Sequence, residues 1–272
     1  MSEAEHIPVS AYMITFNNAR TVEKALQSLT WADEIVVVDS FSTDETIDIV
    51  GKYATKVEQR KWPGFQDQYQ YASEQCSHPW TVFLDADEEF CPELIAEMRE
   101  ELQRNAQRPE GERAVGYEVH RRTFYLGRWI MHGGWVPDHE IRLYDRRHGT
   151  WKGGMHAKVR MDGRVEALKH FCYHYTYQNI SDQIKTVDKY STTEAGDKLA
   201  ADKRFSLLSL LLSPPARFFR DYFLKRGFLD GLPGLIIAVN TAFYVFNKHA
   251  KFWEARQQRE HPPDSEANRP RS

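Results

Sequence analysis

The sequence predicts an α/β fold: a Rossmann-like, mostly parallel sheet with flanking helices, followed by a helical C-terminal region. Three features predict it. Glu34-Ile35-Val36-Val37-Val38-Asp39 is a near-continuous β-branched run ending in an acid. Such a run fits a strand buried on both faces of a parallel sheet. Strand-period and helix-period segments alternate through roughly the first hundred residues, as crossover units of one hand require. From about Ile180 the pattern turns helical.

Taken in order, Ile7–Phe16 is a strand, followed by a helix over about Thr21–Leu29. After the Glu34–Asp39 strand, Ser42-Thr43-Asp44-Glu45 matches a capping box that opens a helix through about Tyr53. Lys56–Arg60 is a short strand and Phe65–Gln75 a helix; Trp80–Leu84 is the next strand, running into Asp85. Pro92 suits the first turn of a helix over Glu93–Gln103. Asn105–Arg113, polar with Pro109 and Gly111, is a boundary loop. Ala114–Lys169 is irregular, with short strands at Val115–Arg121, Glu140–Tyr144 and Ala157–Arg160. Seven of the eleven histidines lie between His120 and His174, which marks a site-forming region.

Composition narrows the class. A formal charge of -3 over 272 residues gives no basic footprint for nucleic acid. Cys76, Cys91 and Cys172 have neither zinc-site spacing nor a disulfide pattern, which points to a reducing compartment. Met1–Ser10 carries early acids and no apolar stretch, so no signal peptide is expected there.

The chemistry concentrates at Asp85-Ala86-Asp87-Glu88-Glu89. Period-2 alternation puts Asp85 and Asp87 on one strand face, about 7 Å apart. Four acids this close repel one another unless a cation sits among them. A divalent ion bridging a diphosphate supplies that charge and offsets the charge building on a departing nucleotide. Asp39 ends a second buried strand at the same sheet edge, where ligands bind in such folds. A solvated loop that caps the next helix is the plain structural alternative.

Thr15-Phe16-Asn17, Trp31–Ser40, Ser42-Thr43-Asp44, Trp62-Pro63-Gly64-Phe65 and Leu84-Asp85-Ala86-Asp87-Glu88 resemble the family 2 inverting glycosyltransferases of GT-A fold. His132–Asp138, Arg142-Leu143-Tyr144 and the stretch from Pro214 to Trp253 extend the likeness, which is nearest the lipopolysaccharide core β1,4-glucosyltransferases. The resemblance implies transfer from a nucleotide-diphosphate sugar, a UDP-hexose, to a lipid-linked saccharide, with Mg2+ or Mn2+. It implies nucleotide contacts at Thr15, Asn17, Asp39, Asp85 and Ala86, and metal contacts at Asp87 and His156. His174 rivals His156 for that role. It implies a nucleotide-sugar half over 1–105, an acceptor and catalytic half over 106–180, membrane-associated helices over 181–256 and a disordered tail over 257–272. Such a bacterial enzyme works on the cytoplasmic face of the inner membrane.

In-line inversion needs one carboxylate within reach of the acceptor hydroxyl. Asp138, after the stiff Trp135-Val136-Pro137 segment, is preferred; Glu140 competes, and Arg142 pairs with either of these two acids or with the diphosphate. Three positions depart from the family: Asn18 where an acid is usual, Tyr69 near a usual base, and Ala157 where Glu is frequent. They keep open a non-catalytic, membrane-associated binding protein. A nucleotidyltransferase is the other alternative, but Thr15–Arg20 has no glycine for its phosphate loop.

In the C-terminal region, Phe205–Leu212 is apolar and Pro214-Pro215 is expected to break it. Gly227–Gly231 is a turn, and Leu232–Phe246 an apolar run interrupted by Pro233 and Asn240. About 20 apolar residues span a bilayer, so this run is too short and too broken to cross. Between Lys203 and Lys251, eight bases face two acids, Asp221 and Asp230. That composition fits interfacial helices on an anionic leaflet, with a buried helical hairpin as the alternative.

Overall fold

The computed structural model describes residues 6–154 and 157–260. The described residues form two compact units, one within Met1–Phe124 and Asp138–Thr176, the other within Tyr125–Pro137 and Tyr177–Ser272.

The first unit is built on a mixed sheet. Its strands are β1 (Val9–Thr15), β2 (Glu34–Asp39), β3 (Lys56–Gln59), β4 (Trp80–Phe83), β5 (Glu88–Phe90) and β6 (Gly116–Tyr125). Then come β8 (His139–Asp145) and β11 (Val165–His174), with β9 (Gly149–Lys152) and β10 (Lys158–Met161) forming a separate hairpin; the short β7 (Arg128–Trp129) belongs to the second unit. Strand order is β3-β2-β1-β4-β8-β6-β11-β5. The first four strands are parallel, and β8 then runs antiparallel to both β4 and β6.

Side-chain alternation along β1 and β2 fills a core on each face. Ala11, Met13, Ile35 and Val37 pack on one side, and Tyr12, Ile14, Val36 and Val38 on the other. The continuous apolar run of β2 is explained by this two-sided burial. Helix α1 (Val22–Gln27) buries Val22, Ala25 and Leu26 against the first core. Helix α4 (Pro92–Ala106) starts at Pro92 and buries Leu94, Met98 and Leu102 there. Each such side chain contributes about 1.5–3 kcal/mol, so an acid at Met98 would unseat the helix. Helix α3 (Phe65–Glu74) and the β9–β10 hairpin cover the second core through Tyr69, Ala72, Trp151 and Val159.

Several expectations change. The capping box is not made: α2 (Thr46–Val50) starts later, and Asp44 Oδ1 accepts from the Thr46 amide at 3.0 Å. Ser42 Oγ instead donates to Asp39 at 2.5 Å, because that buried carboxylate needs donors more than an exposed helix end does. β4 stops at Phe83, and Asp85–Glu88 is a turn closed by the Glu88 amide on the Asp85 carbonyl at 3.0 Å. Period-2 alternation therefore does not carry through Asp87. The region expected to be irregular also holds β11, whose polar residues mask a strand paired with both β6 and β5.

In the second unit, Asn179 Oδ1 caps α5 (Ile180–Ala200) by accepting from the Asp182 amide at 2.9 Å. Helix α6 (Leu207–Phe219) runs through Pro214 and Pro215 rather than breaking. The two prolines keep a helical φ and cost the Leu210 and Leu211 carbonyls their usual donors. A π-helical turn at Arg220–Leu224 and a 3₁₀ turn at Gly227–Asp230 lead into α7 (Gly231–Glu260). Pro233 sits in the first turn of α7, where its missing N–H costs nothing, and Asn240 turns its amide to Gln183. Neither interrupts the helix. By length and composition alone it is long and apolar enough to cross a membrane, contrary to the expectation for Leu232–Phe246. It continues to Glu260, past the expected start of the tail at 257; residues 261–272 lie outside the described residues.

Candidate active site

The carboxyl ends of β1, β2 and β4 bring Thr15, Asp39 and Asp85 to one sheet edge. Asp39 is fully buried and satisfied from within. It accepts from Thr15 Oγ1 at 2.9 Å, the Ser42 amide at 2.8 Å and Ser42 Oγ at 2.5 Å. Asn17 adopts a left-handed φ of 54° and accepts from the Thr43 amide at 2.8 Å. The Asn18 side chain accepts from the Phe16 amide at 2.9 Å. An amide oxygen thus closes this turn where the family's usual residue is acidic.

The acidic turn divides between partners. Asp85 accepts from Arg142 Nη2 at 3.2 Å and from the Tyr69 hydroxyl. Glu88, fully buried, accepts from the same Arg142 nitrogen at 2.5 Å and from Arg121 Nη1 at 3.1 Å. Asp87, partly exposed, pairs with His174 Nε2 at 3.5 Å. Arg142 is 1% exposed and lies over the Phe83 ring at 4.2 Å from its centroid. Its Nε and Nη1 are buried without a hydrogen-bond partner among the described residues.

Titration follows this geometry. Burial pushes Asp87 up, but the His174 imidazole outweighs it and holds the carboxyl below its usual range. Burial works the other way on His174, and Asp87 overrides it, so the imidazole is raised. Glu88 is raised: burial prevails over Arg142 and Arg121, with Asp85 adding repulsion. The Tyr69 phenol is pushed well up by burial and then by Asp85, which keeps it a donor.

Asp138 and Glu140 lie at the start of β8. Asp138 Oδ2 accepts from Arg121 Nε at 2.8 Å and sits 2.6 Å from Nη2. Glu140 pairs with Lys158 at 2.8 Å and lies 3.9 Å from Arg121. Both Arg121 nitrogens go to one oxygen of Asp138, and its side chain is more exposed than that of Glu140. Arg121 is the residue that the sequence reading missed. It shares a strand face with buried Val119, so a base in the inward phase of a strand near an acid-rich turn was the available signal.

Tyr69 explains the second departure. Its ring stacks on Trp151 at 4.2 Å, and its hydroxyl takes Asp85 while the positive charge comes from Arg142 and Arg121. The Gly153 and Gly154 amides donate to Gln66 Oε1 at 3.0 and 3.3 Å, which fixes the turn before residue 155. His156 lies outside the described residues, as does Met155. Ala157 packs beside the Tyr12, Phe83 and Trp151 cluster. Ala86 is buried in the first core, so only its backbone can serve a ligand.

The donor set suits a hard divalent cation, since Asp85 and Asp87 offer carboxylate oxygens. Among the described residues no group of three or more His, Cys, Asp or Glu converges on a point. Ions of the Mg2+ kind are held by one or two carboxylates and substrate phosphates, so this pair fits an ion completed by a bound diphosphate.

Residues 10–153 match the model of the family described as glycosyl transferase family 2. The lipopolysaccharide core biosynthesis glycosyltransferase LpsC of Rhizobium meliloti is 31% identical over 91% of this chain and 93% of its own. A glycosyltransferase of Rickettsia typhi, RT0209, is 26% identical over 90% and 87%. Among solved structures, S. aureus TarS 1–349 in complex with UDP-GlcNAc aligns over 92% of both chains, with a TM-score of 0.47 and 15% identity.

Proposed function

The chain belongs to glycosyl transferase family 2 and has its GT-A fold, and from that premise we propose an inverting transfer of a hexose from UDP to a lipid-linked saccharide such as lipopolysaccharide core. One observation carries the reading. Arg121 joins Asp138, the candidate base, to Glu88 in the same turn as Asp85 and Asp87. A base and a diphosphate-binding turn are thereby held in one ionic framework.

Thr15, Asn17 and Asp39 shape the nucleoside end. Asp39, fully buried, serves there by holding Thr15 and Ser42 in place. Asp85 and Asp87 would hold the divalent cation, with His156 as a further ligand; bound there, the ion offsets charge on the departing diphosphate. Tyr69 and Arg142 orient Asp85, and His174 orients Asp87. Asp138 accepts the proton of the attacking hydroxyl while Arg121 holds its Oδ2; Glu140, tied to Lys158, is the lesser base. The reaction takes place at the cytoplasmic face of the inner membrane, against which the C-terminal helices rest.

UDP-sugars with and without Mn2+ test the donor half by thermal unfolding. A ligand at about 100 times its Kd stabilises by about 2.7 kcal/mol. Asp87→Ala is expected to abolish the metal-dependent part and keep the unliganded transition. Asp138→Asn is expected to keep that stabilisation and lose transfer of labelled hexose into glycolipid. Turnover unchanged in Asp87→Ala would sink the assignment.

A further inference from the structure

Building on the reading of a lipid-linked acceptor, we propose that the C-terminal segment lies flat in the interface of an anionic leaflet, with α7 parallel to the surface rather than spanning it. Length and composition permit α7 to cross a membrane. Its packing argues otherwise.

The exposed apolar residues of α7 are Leu232, Val239, Phe243, Phe246 and Trp253. Their spacing puts them on one helix face, a stripe about 32 Å long at the usual rise per residue. The opposite face, with Ile237, Ala238, Val245 and Phe252, is buried. Polar ties fasten α5 along α7. Asn240 donates to Gln183 at 2.5 Å, Lys248 pairs with Glu194 at 3.2 Å, and Lys251 pairs with Asp188 at 2.6 Å. Helix α5 carries seven charged residues in 21. A spanning α7 would draw those charges into hydrocarbon, where they are costly. Lying flat leaves them on the aqueous side.

Charge selects the leaflet. Both acids between Lys203 and Lys251 are fully buried. Asp221 is held by Arg217 and Arg220, and Asp230 accepts from the Met131 and His132 amides. The outward charge of this segment is therefore basic, with Lys225 and Arg226 beside exposed Phe223 and Leu224. Helix α6 has no buried residue and presents Leu207, Leu208, Leu211 and Leu212 as one face. Apolar faces bordered by bases fit a membrane of anionic lipid. Within the same unit the Gly133 amide donates to the Lys225 carbonyl at 2.9 Å.

Flotation of the full chain with phosphatidylcholine vesicles, with and without phosphatidylglycerol, tests this. Binding should strengthen by about tenfold or more with phosphatidylglycerol and fall in high salt. Leu208→Glu with Leu212→Glu should abolish flotation while leaving thermal unfolding and UDP-sugar stabilisation unchanged. Arg204→Glu with Arg226→Glu should remove only the preference for phosphatidylglycerol. Alkaline carbonate should release the protein from cell membranes. Equal binding to neutral vesicles, retention after carbonate, or a dimer that ignores vesicles overturns the proposal. Loss of UDP-sugar stabilisation in the unmodified chain would instead count against the transferase reading.

Discussion

Replacing Arg142 by Met tests the ionic framework most directly. The substitution keeps the volume and the contact with Phe83 but removes the charge facing Glu88 at 2.5 Å and Asp85 at 3.2 Å. Removing one partner of a buried pair costs about 3–5 kcal/mol, because the other charge stays buried. Arg121 Nη1 remains 3.1 Å from Glu88, which places the expected loss at the lower end, about 3 kcal/mol. With a urea m-value of about 2 kcal/mol/M, the midpoint should fall by about 1.5 M at unchanged m. Glu88→Gln in the same background should recover part of that loss, with a coupling of about 2 kcal/mol in a double-mutant cycle. The double variant gives up only the two bonds of Arg142 Nη2, since Nε and Nη1 have no partner among the described residues. A loss below about 1 kcal/mol, or strict additivity, would show that the two charges do not sustain each other.

Tyr69→Phe keeps the stack on Trp151 and removes the donor to Asp85. It should cost about 1–2 kcal/mol in denaturant unfolding and weaken UDP-sugar stabilisation, since Asp85 loses an orienting contact. Glu34 accepts from Ser10, the Ser77 amide and Ser77 Oγ; burial raises its carboxyl, and these bonds together hold it below its ordinary 4.5. Its contribution to stability is therefore complete above pH 4.5 and lost as pH falls through the lower folded value. Glu34→Gln should flatten that acid limb in urea melts from pH 6 to about pH 3. Gly234→Ala would set a Cβ 2.0 Å from the Gly227 carbonyl oxygen, a backbone atom that cannot swing away. It should destabilise by about 1–3 kcal/mol or more, seen as earlier melting and faster amide exchange in α7.

Local pattern made much of the fold legible. The β2 run, the Pro92 helix start and the apolar spacing of α1 and α4 each have one low-energy solution that depends on few distant contacts. The placing of Asp39 and Asp85 at strand ends was legible for a similar reason, since acids closing apolar runs stand out against their surroundings. Prolines misled the reading of α6, because the cost of lost backbone bonds does not by itself decide where a helix stops.

The chain alone determined which residues can be charged, which can be buried, and the order in which they meet the sheet edge. Tertiary structure alone decided the pairings: Arg121 with Asp138 and Glu88, Arg142 with Asp85, and Asp87 with His174. Strands β6, β8 and β11 are brought to the acidic turn by sheet order, which local periodicity does not encode. Ion pairing falls off with distance through space, whereas a sequence records only distance along the chain.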